Sequence, residues 1–170
     1  GVMKESAMTA VMDHIFIDLD DGDYLTLSFQ GGEPMLAGLP FYRNLVQYIA
    51  GKKRNIHINY TLQTNGILLD DDWCKFLAKY GFLIGISLDI LPESHDAVRV
   101  DTAGQGTYEQ VLRSISLLKK HHIEHNVLCT LTRQTARHPA KVWAQIKKLD
   151  LSYIQFTPCL GDLNSPGSSA

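Results

Sequence analysis

Two kinds of segment take turns along this chain, and their order constrains the fold more than any other feature. One kind alternates apolar and polar residues at a period of two. The other repeats apolar residues at helical spacing. Glu5 to Ile17 carries Ala7, Met8, Val11, Met12 and Ile15 at helical spacing, which predicts an amphipathic helix. An acidic turn over 18–23 follows, and then Tyr24 to Phe29, YLTLSF, reads as a strand. Phe41 to Ala50 reads as a helix, closed by Gly51 and the basic run Lys52, Lys53 and Arg54. Ile56 to Leu62 alternates as a second strand. Asp70, Asp71 and Asp72 open the next helix, where carboxylates suit the dipole, and Gly81 stops it. Phe82 to Leu88 is almost continuously apolar, as in a strand covered on both faces. Thr107 opens a helix with the stripe Val111, Leu112, Ile115, Leu117 and Leu118. His125 to Leu131 is a fourth strand, Pro139 suits the first turn of a last helix, and Tyr153 to Thr157 is a fifth strand. The polar tail over 161–170 reads as loop.

Strands separated by helices imply a parallel sheet with right-handed crossovers, an α/β fold. Five strands fit either an open doubly wound sheet or part of a barrel. A complete eight-unit barrel takes about 250 residues, so a chain of 170 residues does not hold one. An α/β array that starts on a helix lacks the strand before it, so the first strand is expected to be missing. One domain is expected over 1–160, with 161–170 as a tail leading to an absent C-terminal region.

Sixteen Lys and Arg against eighteen Asp and Glu leave a net charge of -2, which argues against nucleic-acid binding by phosphate neutralisation. No apolar run approaches the roughly 20 residues of a membrane span, and the N-terminus has no signal-peptide apolar region. Cys74, Cys129 and Cys159 are far apart and odd in number, so they read as thiols in a reducing, cytoplasmic setting.

In a parallel α/β sheet the ligand sits at the carboxyl ends of the strands. The first strand is followed by Gln30, Gly31, Gly32, Glu33 and Pro34, and the second by Asn65 and Gly66. The third ends in Ser87, Leu88 and Asp89, with His95, Asp96 and Arg99 beyond. Gly31 and Gly32 let backbone approach a ligand, and Glu33 offers a carboxylate to a cation. Ordinary βα turns would explain either glycine element alone.

Other patterns carry plainer readings. His121 to His125 spells HxxEH, a zinc pattern that needs one helix. The helix ends near His122, so a basic helix terminus is the better reading. Asp18, Asp20, Asp21 and Asp23 lack the Gly and Glu of a calcium loop and read as a solvated turn. His95 and Asp96 read as a local cap, and Trp73 and Trp143 as packing residues.

Five stretches together carry a resemblance: QGGEP after one strand, LQTNG after the next, GISLD, then HDAVRVD with GQGTY, and YIQFTPCL at the end. In this order they resemble radical S-adenosylmethionine (radical SAM) enzymes, particularly the anaerobic sulfatase-maturating enzymes and arylsulfatase regulators. The resemblance runs from about Thr26 to Leu160. It implies a partial (βα)6, TIM-like barrel of which about five strands are present. It assigns Gly31, Gly32 and Glu33 to the methionine amino group of the cofactor, Ser87 and Arg99 to its carboxylate, and Gln155 and Leu160 to the adenine side. Gln30 and Asn65 are further contacts. A guanidinium matches a carboxylate as a two-pronged donor. The implied reaction oxidises a Cys or Ser of a sulfatase polypeptide to formylglycine through a 5′-deoxyadenosyl radical.

The chain departs from the family in three ways. It has no CxxxCxxC, whose thiolates would hold a [4Fe-4S] cluster. It reads Asp89-Ile90-Leu91-Pro92 where the family usually has Asp-Gly-Pro. The regions beyond the barrel are missing. These departures suit an internal fragment, inactive by itself and without a cluster, with no catalytic residue assignable. A rival reading is a non-catalytic α/β binding or regulatory module that keeps the cofactor cleft. Without a strand before it, Tyr24 to Phe29 is expected to form an exposed edge able to pair in a homodimer.

Overall fold

A computed structural model describes residues 2–52 and 54–159. Lys53, Leu160 and the tail over 161–170 lie outside the described residues. Five strands form one all-parallel sheet in the order β1 (Tyr24–Phe29), β2 (His57–Thr64), β3 (Leu83–Ser87), β4 (His125–Leu131) and β5 (Ile154–Pro158). A doubly wound sheet reverses its strand order part-way. Here the order is sequential, so each crossover steps the same way, as round a barrel wall. That settles the alternative left open by the strand count. β1 and β5 are the two edges.

The helices are α1 (Glu5–Ile17), α2 (Gly38–Ala50), α3 (Asp71–Lys79), α4 (Pro92–Asp96), α5 (Tyr108–Lys120), α6 (Arg133–Ala136) and α7 (Pro139–Lys148). A short 3-10 turn, Pro34–Ala37, precedes α2. Asp70 caps α3, its carboxylate accepting from Trp73 N at 2.8 Å. α1 buries Met8, Met12 and Phe16, one per turn on a single face, while Val11 is left exposed.

One face of the sheet is covered. Leu62, Ile84, Ile86, Val127 and Cys129 pack into the same core as the buried sides of α2, α3, α5 and α7. Phe82 stacks on Tyr60 at 4.8 Å and meets Phe76 at 5.6 Å, which joins β2, β3 and α3. The opposite face is mostly polar, with Tyr24, Leu83 and Leu128 as its apolar members. Ser28 and Thr61 are register partners on it, and Thr61 donates to the Ser28 hydroxyl at 2.9 Å. Gln63, Ser87, Asn126 and Thr130 occupy the same parity on the strands that follow.

Four differences from the sequence reading have physical causes. β2 runs on to Thr64, because Gln63 and Thr64 keep the strand pairing although they are polar. α4 and α6 span five and four residues, too short for any periodicity to show. β3 is covered on one face only: Leu83 is exposed, and Gly85 and Ser87 are only half-buried. Trp73 packs in the core as expected. Trp143 does not: it is 60% exposed beside an apolar groove of about 880 Å³ that it shares with Ile154 and Phe156.

Candidate functional site

β1 delivers the chain into Gln30, Gly31 and Gly32. Gly31 and Gly32 sit at φ +91° and +55°, in the left-handed region where a side chain is strained. Nothing lies within 4 Å of where their Cβ atoms would stand, so both open onto clear space. Glu33 then turns inward. Its Oε1 accepts from Met35 N at 3.0 Å and from the Thr64 hydroxyl at 2.8 Å, and its Oε2 accepts from Asn65 N at 2.8 Å. The carboxylate thus ties the end of β1 to the end of β2. Three of its roughly four acceptor positions are used. Tyr42 steadies the same loop by donating to Pro34 O at 3.0 Å, and burial, then the Glu33 charge, raises its phenol pKa.

The turn after β2 is held as firmly. Asn65 Oδ1 accepts from Ile67 N at 2.9 Å, an Asx turn, and the Thr64 hydroxyl accepts from Gly66 N at 3.0 Å. Gly66 has φ +78°, and a Cβ there would stand 2.8 Å from Ile86 Cδ1.

After β3, Ser87 opens onto the cleft and Asp89 is buried. Asp89 Oδ2 accepts from Arg99 Nε at 2.8 Å, and its Oδ1 accepts from Thr130 N at 2.8 Å. Arg99 Nη2 also donates to the Thr130 hydroxyl at 3.3 Å. The HDAVRVD and GQGTY stretches prove to be the frame of this pair. His95 is fully buried; its Nδ1 accepts from Asp89 N at 3.2 Å and its Nε2 meets the Thr107 hydroxyl at 3.1 Å. Since Nδ1 accepts, Nε2 carries the proton, and the ring is neutral. Thr107 in turn donates to Arg99 O at 2.9 Å. Burial, then the Arg99 charge, lowers the His95 pKa. Asp96 accepts from Tyr108 N at 2.9 Å, so the His95–Asp96 pair is local framing, as its sequence position implied. Ile90 and Leu91, which stand in the family's Gly position, are buried, and Ile90 O accepts from Tyr108 at 3.1 Å.

These strand ends enclose a cleft of about 740 Å³. Gln30, Gly31, Gly32, Glu33, Asn65, Ser87 and Arg99 all line it, although 69 positions separate the first from the last. Gln155 is exposed on the inner face of β5, outside this lining, and Leu160 lies outside the described residues. Sequence reasoning missed Thr64, Asp89 and Thr130 as partners. Asp89 was visible as the last residue of GISLD, but its bond to Arg99 was not.

The cluster thiolates of a radical SAM enzyme find no match in this donor set. Among the described residues no three His, Cys, Asp or Glu side chains gather as a metal site. Cys74 and Cys129 are buried in α3 and β4; burial pushes the Cys74 thiol up to about 11 and raises that of Cys129. The HxxEH stretch diverges too. α5 ends at Lys120, His121 Nε2 meets Asp71 at 2.7 Å, and His125 Nδ1 donates to Ile123 O at 2.8 Å. The acidic turn is closed from within: Asp23 accepts from Asp20 N at 2.8 Å, and Asp21 accepts from Asn55 N at 3.1 Å.

Comparison with known proteins bears on the fold and the family. A cysteine-type anaerobic sulfatase-maturating enzyme of Clostridium novyi is 36% identical over 170 residues, covering 99% of this chain and 45% of its own length. A serine-type anaerobic sulfatase-maturating enzyme of Klebsiella aerogenes is 36% identical over 135 residues, covering 79% of this chain and 33% of its own. A solved structure of native anSMEcpe with bound AdoMet and Kp18Cys peptide superposes with a TM-score of 0.86 at 37% identity, over 94% of this chain and 44% of that one. The chain thus spans less than half the length of these relatives. Residues 9–142 match the Radical SAM superfamily. With the sequential half-barrel and the strand-end cleft already in place, that match covers most of the chain, and the chain belongs to the radical SAM superfamily.

Proposed function

We propose that the cleft binds S-adenosylmethionine and that the whole protein is a sulfatase-maturating oxidoreductase of the cytoplasm. The observation that carries the reading is one cation and one anion in the same cleft, Arg99 and Glu33. An α-amino acid presents a carboxylate and an ammonium on adjacent bonds, and this cleft offers a partner for each. Arg99 and the Ser87 hydroxyl take the carboxylate. The remaining acceptor position of Glu33, with backbone carbonyls of Gln30, Gly31 and Gly32, takes the ammonium. Asn65 closes the near side, and Gln155, on the inner face of β5, is assigned to the adenine by the family resemblance alone.

By the family resemblance, S-adenosylmethionine held by Glu33, Ser87 and Arg99 would supply the radical chemistry for hydrogen abstraction from the target. The residues of this chain bind and orient; the electron source is a cluster whose ligands this donor set does not provide. The relatives are cysteine-type and serine-type sulfatase-maturating enzymes; the family resemblance extends this to a Cys or Ser of a sulfatase polypeptide as the target, oxidised to formylglycine. The chain alone is expected to be inactive, and elemental analysis to find no stoichiometric iron.

Titration of the chain with S-adenosylmethionine, followed by NMR, tests the reading. Charge-assisted contacts are worth about 1.5–3 kcal/mol each, before the cost of association. A dissociation constant on the order of millimolar is therefore expected, weakened at least fivefold in Arg99→Ala. Shifts confined to residues outside the strand-end cleft, or unchanged affinity in Arg99→Ala, would overturn it.

A further inference from the structure

We propose that Asp89 is the positioning residue for Arg99, and that through it the cleft selects ligands bearing a carboxylate beside their ammonium. The inference rests on the reading of the cleft as an S-adenosylmethionine site. Asp89 touches no ligand in this scheme; it acts through the guanidinium.

Three observations carry it. First, the pair is asymmetric: the Asp89 side chain is 4% exposed and that of Arg99 30%. The anion is part of the wall and the cation reaches out from it. Second, Asp89 is fixed on three sides. Its Oδ1 is held by Thr130 N, its backbone N by the His95 ring, and its Oδ2 faces Arg99. A carboxylate so held cannot swing to follow a mobile arginine, so the arginine must conform to it. Third, the bonds to Asp89 and Thr130 engage Arg99 Nε and Nη2. Of five guanidinium N–H groups, three are left for a ligand.

An arginine on a flexible stem loses rotamer freedom when it clamps a carboxylate. Asp89 and Thr130 impose that loss in the ligand-free protein, so binding need not. The buried carboxylate also offsets the arginine charge. The cleft then discriminates by geometry rather than by a broad positive field that would draw any anion.

The experiment compares two ligands that differ by one group, S-adenosylmethionine and decarboxylated S-adenosylmethionine. The affinity ratio is measured by NMR titration on the full chain, wild type and Asp89→Asn. The wild type is expected to favour the carboxylate-bearing ligand. In Asp89→Asn that preference should fall about tenfold, while affinity for the decarboxylated ligand stays within about twofold, a range small beside one decade of affinity. Thr130→Val, which keeps the backbone N–H and removes the Nη2 contact, should lower the ratio by about threefold. It carries the test if Asp89→Asn fails to fold. A parallel loss of both ligands would mean a merely structural role and would overturn the proposal, as would an unchanged ratio in folded variants. A wild type that binds both ligands equally would instead overturn the cofactor reading itself, and this inference with it.

Discussion

Ser114, on the buried side of α5, donates its hydroxyl to Gly66 O at 2.6 Å across 48 positions of sequence. The turn that lines the cleft is therefore set by a helix of the next crossover. The fit leaves no space: a Cβ on Gly66 would also stand 3.3 Å from Ser114 Cβ.

Glycines of the cleft should therefore divide by what surrounds them. Gly31→Ala meets only the left-handed backbone penalty, roughly 1–2 kcal/mol. Gly66→Ala meets that and the Ile86 side chain, adding about 1–3 kcal/mol of overpacking. Urea unfolding of both variants should rank Gly66→Ala as the more destabilised. Equal losses would show that Ile86 and Ser114 yield without cost.

His95 makes the fold sensitive to acid. Its ring is neutral in the folded chain, with a pKa held below the ordinary 6.5 by burial and then by Arg99. As pH falls, the unfolded chain protonates this ring first, so protons favour unfolding. The contribution is fully present above about pH 6.5 and is lost as pH falls through the lower folded-state value. Unfolding free energies between about pH 7.5 and 5 should fall less steeply in His95→Gln than in the wild type. Parallel slopes would show that the ring does not titrate differently on folding.

The three thiols should separate kinetically. Cys74 and Cys129 are buried and their thiols are raised, which suppresses thiolate; Cys159 is exposed. A thiol reagent at neutral pH should label one group rapidly in the native chain and all three after denaturation. Rapid labelling of Cys129 would show that β4 opens to solvent.

β1 is an edge, and its outward pattern is readable from the ladder. His57 N donates to Asp23 O at 2.8 Å, so by the parallel pattern Leu25, Leu27 and Phe29 turn their N–H groups to β2. Tyr24, Thr26 and Ser28 turn theirs to the open side. With no charge and no proline in YLTLSF, this edge should pair with another copy of the chain. Light scattering across a dilution series should show dimers that Thr26→Pro weakens. A monomer indifferent to that change would show the edge already protected.

Much of the framework was legible because local rules and tertiary environment agree. YLTLSF and HNVLCTL are strands with the bounds their alternation implies, and Asp70 caps the helix that its carboxylate announced. Gly31 and Gly32 declared themselves because only their backbone geometry requires glycine. What stayed hidden was pairing at a distance. Glu33 read as a carboxylate offered to a ligand, yet it binds three donors from its own chain, two of them 31 and 32 positions away. Asp89 and Arg99 are ten positions apart and their third partner, Thr130, is 31 further on. No periodicity encodes such a meeting. Short helices escaped for a simpler reason: α6 is barely one turn, and its cap, Thr132 accepting from Thr135 N at 3.3 Å, resembles any Ser/Thr turn.

The sheet has a working side and a supporting side. Along each strand, neighbouring residues answer to different demands. Ile84 and Ile86 hold the helices, while Gln63 and Ser87 line the cleft. An aliphatic-filled barrel must keep its centre packed to remain folded. This polar wall contributes little to the apolar core, so its residues are free to change with the molecule they handle. Tolerance to substitution should therefore alternate with the strand period: one residue conserved by packing, the next by recognition. A chain built this way can acquire a new target by rewriting every second position of its strands and leaving the scaffold as it stands.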